Sequence, residues 1–155
     1  KDMNIKDLNI KTFKTSHDTD SVGYVFTSNN KALVYITDTG YINVKNHPLL
    51  LNKEAYIFES NHDIDLLMNN ENYPYYLKQR ILSDKGHLSN KDSAYYLSNF
   101  VGNKTKTIFL VHLSEQNNDP NIALETLKTN LKKKDIQINN IIIAKQMDKS
   151  ELVEV

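Results

Sequence analysis

Three apolar runs in this chain stop abruptly on a side chain that can hold a proton or a metal ion. Ala32-Leu33-Val34-Tyr35-Ile36-Thr37 runs into Asp38, Ile57-Phe58 into Glu59 and His62, and Ile108-Phe109-Leu110-Val111 into His112. Short runs rich in β-branched and aromatic residues read as strands. A buried strand that ends on His or Asp presents that side chain at one edge of a sheet. Several such strands side by side place polar groups on a rigid scaffold, the arrangement in which metal ligands are held. The segments Glu59-Ser60-Asn61-His62-Asp63, Gly86-His87-Leu88-Ser89-Asn90 and His112-Leu113-Ser114 are therefore the candidate site.

The remaining pattern supports a layered α/β domain. Residues 5–15 alternate loosely and read as a strand pair or one irregular strand, and 22–26 as a strand. Ser28-Asn29-Asn30-Lys31 makes a tight hairpin turn into 32–37, whose unbroken apolar run predicts burial on both faces. Residues 41–52 read as a short helix broken near Pro48, and 55–58 as a strand. Helices are expected over 62–70, with Asp63 near the N-terminus, over 74–83 with Pro74 in the first turn, and from Ser89 or Asn90 as cap. A strand over 106–111 precedes a helix from Asp119-Pro120 to about Lys134, apolar at Ile122, Leu124, Leu127 and Leu131. Residues 140–144 read as a final core strand and 151–155 as a short edge strand. Strands first, then strands alternating with helices, imply one sheet covered by helices on one face, in a single domain over 1–155.

Composition removes several classes of function. With no cysteine among 155 residues, disulfides and thiolate metal sites are excluded, so any metal must be held by His and carboxylate, a donor set that suits Zn, Mn or Fe. The formal net charge is zero, which leaves no global electrostatic footprint for nucleic acid. No apolar run has the length of a membrane span and no signal peptide is visible, so a soluble cytoplasmic protein without membrane contact is expected. The chain opens Lys1-Asp2-Met3, and we expect it to be part of a longer polypeptide.

Taken in order, Ser16-His17-Asp18, Val22-Gly23-Tyr24, Thr37-Asp38-Thr39-Gly40-Tyr41, the 59–63 segment, Tyr73-Pro74, Leu77-Lys78-Gln79-Arg80-Ile81, Ser83-Asp84, the 86–90 segment and His112-Leu113-Ser114 with Asn117-Asn118 form a set. This set resembles the second half of a metallo-β-lactamase-fold hydrolase, an αββα sandwich. Within that family it is most similar to the YycJ/WalJ subfamily, whose members look like DNA exonucleases. The resemblance runs from about residue 12 to the C-terminus. The family's His-x-His-x-Asp-His motif, which belongs to the first half of the fold, is absent. The resemblance thus implies a C-terminal portion of the domain, completed by an N-terminal half in the same or a separate chain.

It also implies roles. His17 aligns with the family's third ligand motif, Asp38 with the carboxylate that bridges two divalent metal ions, and His112 with the last ligand histidine. His87 is placed near a scissile phosphate, where an imidazole stabilises charge or protonates the leaving oxygen. Asn61, His62, Ser89 and Arg80 fall to substrate contact, with an extra ligand or the positioning of His87 also open for His62. Glu59 is expected to orient a ligand histidine or backbone. Arg80, the sole arginine, suits bidentate phosphate binding, as Lys78 does less well, although a solvated helix face is the commoner fate of both. His47, before Pro48, reads as structural or surface.

The expected chemistry is metal-assisted phosphodiester hydrolysis of DNA ends. Three ligands alone make a weak, open site, so the chain by itself is expected to bind metal poorly and to lack appreciable nuclease activity. A small-molecule phosphodiesterase, for example one acting on cyclic nucleotides, and a non-catalytic scaffold derived from the fold remain as rivals. Metal identity, end polarity and oligomeric state stay open.

Overall fold

The computed structural model describes residues 2–154. Seven strands form one mixed sheet in chain order: β1 (Asp2–Ile5), β2 (Leu8–Lys14), β3 (Val22–Ser28), β4 (Lys31–Ile36), β5 (Ala55–Glu59), β6 (Thr107–Val111) and β7 (Asn140–Ile143). β1 to β4 pair antiparallel; the stretch 5–15 holds one whole strand, β2, which pairs with the preceding β1, a strand the sequence reading did not expect. From β4 onward the pairing is parallel, with Ile36 opposite Phe58 and Phe58 opposite Leu110. The change follows from connection length. A two-residue turn at Asn29-Asn30, both at positive φ, can only reverse the chain, whereas the helical crossovers after β4, β5 and β6 return it parallel.

The helices are α1 (His47–Leu50), α2 (Ile64–Asn69), α3 (Tyr75–Leu82), α4 (Asn90–Phe100) and α5 (Pro120–Lys133). Their starts are fixed by local chemistry. Asp63, Ser89 and Asp119 each accept backbone N–H bonds from the first turn of α2, α4 and α5 respectively. Alternate strand residues Val25, Val34, Ile36, Tyr56, Phe58, Ile108 and Leu110 face Leu50, Ala94, Leu97, Phe100, Ala123, Leu127 and Leu131 in one continuous core. Each such aliphatic side chain contributes roughly 1.5–3 kcal/mol when fully buried.

The opposite face carries a second apolar row. Tyr24, Tyr35, Ile57, Phe109 and Ile142 are successive cross-strand partners from β3 to β7. None is fully buried, and Tyr35 keeps 37% of its surface. This corrects the expectation for 32–37: only Ala32, Val34 and Ile36 are buried, so β4 is covered on one face. Residues 140–144 give the edge strand β7, half-buried rather than core, and 151–154 form no strand. Pro48 does not break a helix. It lies in the first turn of α1, where its missing N–H costs nothing, after a separate 3₁₀ turn at Val44–Asn46. In α5, Ala123 takes the core position and Ile122 stays 38% exposed.

Tyr56 locks β5 beneath α1 and α4. Its hydroxyl reaches the carbonyls of Leu50 (2.7 Å) and Phe100 (3.1 Å) and accepts from Lys53 N (3.0 Å). Burial pushes the phenol up to about 12. Tyr56→Phe strands these groups in the core, so it should cost roughly 1–3 kcal/mol. Urea unfolding should then show a lower midpoint at unchanged m-value.

Candidate functional site

The parallel register brings the carboxyl ends of β4, β5 and β6 level, and each ends on a site residue. Asp38 follows β4, Glu59 closes β5 and His112 follows β6. Asp38 (φ 55°) and His112 (φ 60°) both adopt the left-handed region, so the backbone turns as it leaves the sheet. For a non-glycine residue this conformation is disfavoured and concentrates at functional positions. Two loops complete the cluster, the β2–β3 connection with His17 and the α3–α4 connection with His87. The latter is held by Gly86, where a Cβ would collide with the Ile81 carbonyl oxygen.

Glu59 is the centre of the arrangement and is fully buried. Its Oε1 accepts from His112 Nδ1 (2.7 Å), His87 Nδ1 (2.8 Å) and Asp38 N (3.3 Å). Its Oε2 accepts from Thr39 N and Leu88 N, both at 3.2 Å. Burial pushes this carboxyl up, but the hydrogen bonds and charge of His112 and His87 outweigh it and hold the pKa down at about 2. The bond to Glu59 raises His112 above the ordinary histidine value, against the opposing effect of burial.

These bonds fix tautomers. His87 and His112 give Nδ1–H to Glu59, and His17 gives Nδ1–H to the Gly86 carbonyl at 3.0 Å. In the neutral form of each ring the lone pair is thereby left on Nε2. Asp38 Oδ1 lies 3.8 Å from His17 Nε2 and 3.9 Å from His112 Nε2. Asp38, Glu59, His87 and His112 offer ligand atoms within 4.8 Å of one another. Five donors already occupy the Glu59 oxygens, so Asp38 and the histidines are the groups with free lone pairs. Imidazole Nε2 atoms whose other nitrogen is bonded to carboxylate or carbonyl, converging on an aspartate, form a donor set that fits a divalent cation.

Beside this cluster opens a cleft of about 310 Å³ lined by His17, Asp18, Asn61, Arg80, Lys85 and His87 among others. Arg80 is exposed and donates through Nε and a terminal nitrogen to Asp18 Oδ2. Asp18 Oδ1 lies 3.3 Å from His17 Nε2. Asn61 Nδ2 donates to the His112 carbonyl at 2.8 Å.

Three residues expected at the cleft are elsewhere. Ser89 is buried, capping α4 and donating to Asp92 Oδ2. Lys78 is buried because its ammonium is needed at the Met68 carbonyl, 2.6 Å away, which ties α3 to α2. His62 is 1% exposed, and neither ring nitrogen has a hydrogen-bond partner among the described residues. It does not line the cleft. His47 is structural, bonded to the Ile42 carbonyl and packed against Tyr96 and Phe100. Sequence reasoning gave no role to Asp18 or Lys85. The adjacency of Asp18 to His17 was the one signal for the former.

No family model matches the sequence. The chain is 40% identical over 133 residues to exodeoxyribonuclease WalJ of Streptococcus pneumoniae, covering 85% of this chain and 49% of that protein. It is 38% identical over 129 residues to exodeoxyribonuclease YycJ of Bacillus anthracis, covering 83% of this chain and 48% of that protein. The chain therefore spans about half the length of these curated relatives. Among solved structures it is similar to the metallo-β-lactamase fold protein YhfI of Bacillus subtilis, with a TM-score of 0.65 at 16% identity, over 94% of this chain and 50% of that one.

The unpartnered His62 ring generates a pH prediction. Burial lowers its pKa from 6.5 to about 4, the His87 charge acting in the same direction. Below pH 6.5 the unfolded chain takes up a proton that the folded chain refuses, so stability falls as pH drops from 6.5 toward 4. The loss over that window is roughly 3 kcal/mol. In His62→Phe this component should vanish, which urea unfolding at a series of pH values will show.

Proposed function

Starting from a chain with the metallo-β-lactamase fold, related in sequence to exodeoxyribonucleases WalJ and YycJ, we propose that it forms the C-terminal portion of a metal-dependent phosphodiester hydrolase acting on DNA ends. The observation that carries this reading is the approach of His17 Nε2 and His112 Nε2 to Asp38 Oδ1, at 3.8 and 3.9 Å, with His87 held beside them by Glu59. His17, Asp38 and His112 hold the metal, two Zn or Mn ions (or Fe) being the set that their chemistry suits once an N-terminal half adds its ligands. When bound, divalent ions supply Lewis acidity, lower the pKa of a water and stabilise charge on the phosphate.

The residues of this chain supply the rest. Asp38 sets its carboxylate between the His17 and His112 rings. Glu59 holds the His87 and His112 rings in place and keeps their Nδ1 protons. His87 lines the cleft, and with Nδ1 committed to Glu59 its Nε2 is the atom available to hold or give a proton to the leaving oxygen. Arg80 and Asn61 face the same cleft and contact substrate, Arg80 exchanging Asp18 for a phosphate. The open row Tyr24, Tyr35, Ile57 and Phe109 is the surface on which the N-terminal half seats its sheet, completing the sandwich.

A smaller phosphodiester is the second reading, favoured by the zero net charge and by the 310 Å³ size of the cleft. The test uses the protein in its complete polypeptide, loaded with Mn or Zn, on end-labelled duplex DNA and on a cyclic nucleotide. Mononucleotide release that disappears in Asp38→Ala is expected. Turnover of the small ester alone would move the substrate class, and inactivity on both would overturn the enzyme. Glu59→Gln should weaken metal binding about 10–100-fold, because the imidazoles lose their anionic acceptor. Calorimetric titration with Mn checks this without any need for turnover.

A further inference from the structure

A second cavity lies on the other side of His112. It measures about 450 Å³ and opens at the carboxyl ends of β6 and β7, against the start of α5. Its walls include His112, Leu113, Ser114, Pro120, Ile143 and Ala144. Ser114 also lines the polar cleft, so the two cavities meet at the His112-Leu113-Ser114 turn, on either side of the histidine cluster. Their chemistry differs. The cleft carries Arg80, paired with Asp18, and Lys85, while Leu113, Pro120, Ile143 and Ala144 give the second cavity an apolar wall alongside Glu115, Asn118, Lys145 and Gln146.

A ligand that spans this cavity and the cluster brings its phosphate to His112, which lines the cavity, and an apolar body to the wall beside it. We infer that this cavity is a nucleobase pocket, holding the base of the nucleotide whose phosphate is at the cluster, with the sugar at its mouth. The inference rests on the reading of the site as a phosphodiester hydrolase and names the group it holds on one side of the bond. Its volume falls in the ~300–1,000 Å³ range of small-molecule sites, enough for one base and too small for a base pair in a duplex. Aliphatic walls bury the face of a base without reading its hydrogen-bonding edge, so this contact is tolerant of base identity. The terminal base must therefore leave its stack to be bound, and the remaining strand runs past Ser114 into the cleft that holds Lys85 and Arg80.

The test compares binding of dAMP and of 2-deoxyribose 5-phosphate, the same phosphate and sugar without a base, to the Mn-loaded protein in its complete polypeptide, by calorimetry. Wild type should bind dAMP at least about tenfold more tightly. Ala144→Trp, which fills the cavity from the residue after β7, should bring the ratio to about one while leaving affinity for deoxyribose 5-phosphate unchanged. Ala144→Leu, a milder filling, should reduce the ratio part-way and guards against misfolding of the Trp variant. Equal binding of the two ligands by wild type, or a dAMP preference that survives both substitutions, overturns the pocket. Loss of deoxyribose 5-phosphate and Mn binding in both variants also overturns it, since the cavity would then be structural. A dAMP preference in a protein that does not cleave DNA would leave the pocket standing and reject the DNA substrate.

Discussion

A carboxylate taken out of water costs several kcal/mol unless its lone pairs are all used, and Glu59 is taken out completely. Its five donors come from the β4 exit at Asp38 and Thr39, the loop before α4 at His87 and Leu88, and the β6 exit at His112. One side chain thus joins three segments that lie far apart in sequence. Because two of the donors are imidazoles, the same bonds that offset the burial of Glu59 also orient the rings. Scaffold and site are consequently not separable here, and a change at Glu59 disturbs both.

The strand ends make that orientation rigid. Parallel pairing of β4, β5 and β6 fixes the level at which each polar residue emerges. The left-handed turns at Asp38 and His112 then redirect the chain away from the sheet. Ligand positions on such elements are held more closely than positions on loops. The loop residues His17 and His87 gain rigidity from bonds to Gly86 O and Glu59, so the α3–α4 connection supplies one imidazole and steadies another.

The sheet has one face closed by helices and one left partly open. Helices α1, α4 and α5 close the core on the first. On the second, a row of aromatic and branched residues remains partly open to solvent from β3 to β7. A row of this kind is ordinary for a sheet that packs against another sheet, and it agrees with a chain that spans about half the length of its relatives.

Local chemistry made much of this legible. Apolar runs gave β2 to β7, Asp63, Ser89 and Asp119 gave three helix starts, and the ends of the runs pointed to Asp38, Glu59 and His112. Those features depend on neighbours within a few residues, which a sequence displays. Burial does not. His62 and His87 both sit in polar segments after apolar ones, yet His62 is enclosed and His87 is bonded to Glu59 beside the cleft. Lys78 and Arg80 share one helix, yet the first is consumed by the Met68 carbonyl and the second reaches the cleft. Strand 32–37 reads as apolar throughout, and its alternate residues nonetheless face a closed core and an open surface. By itself the sequence determined the elements and the residue types gathered at their ends, because short-range geometry sets both. Only the tertiary structure decided which histidines face the cleft and which face of the sheet is left uncovered, because those depend on contacts between segments tens of residues apart.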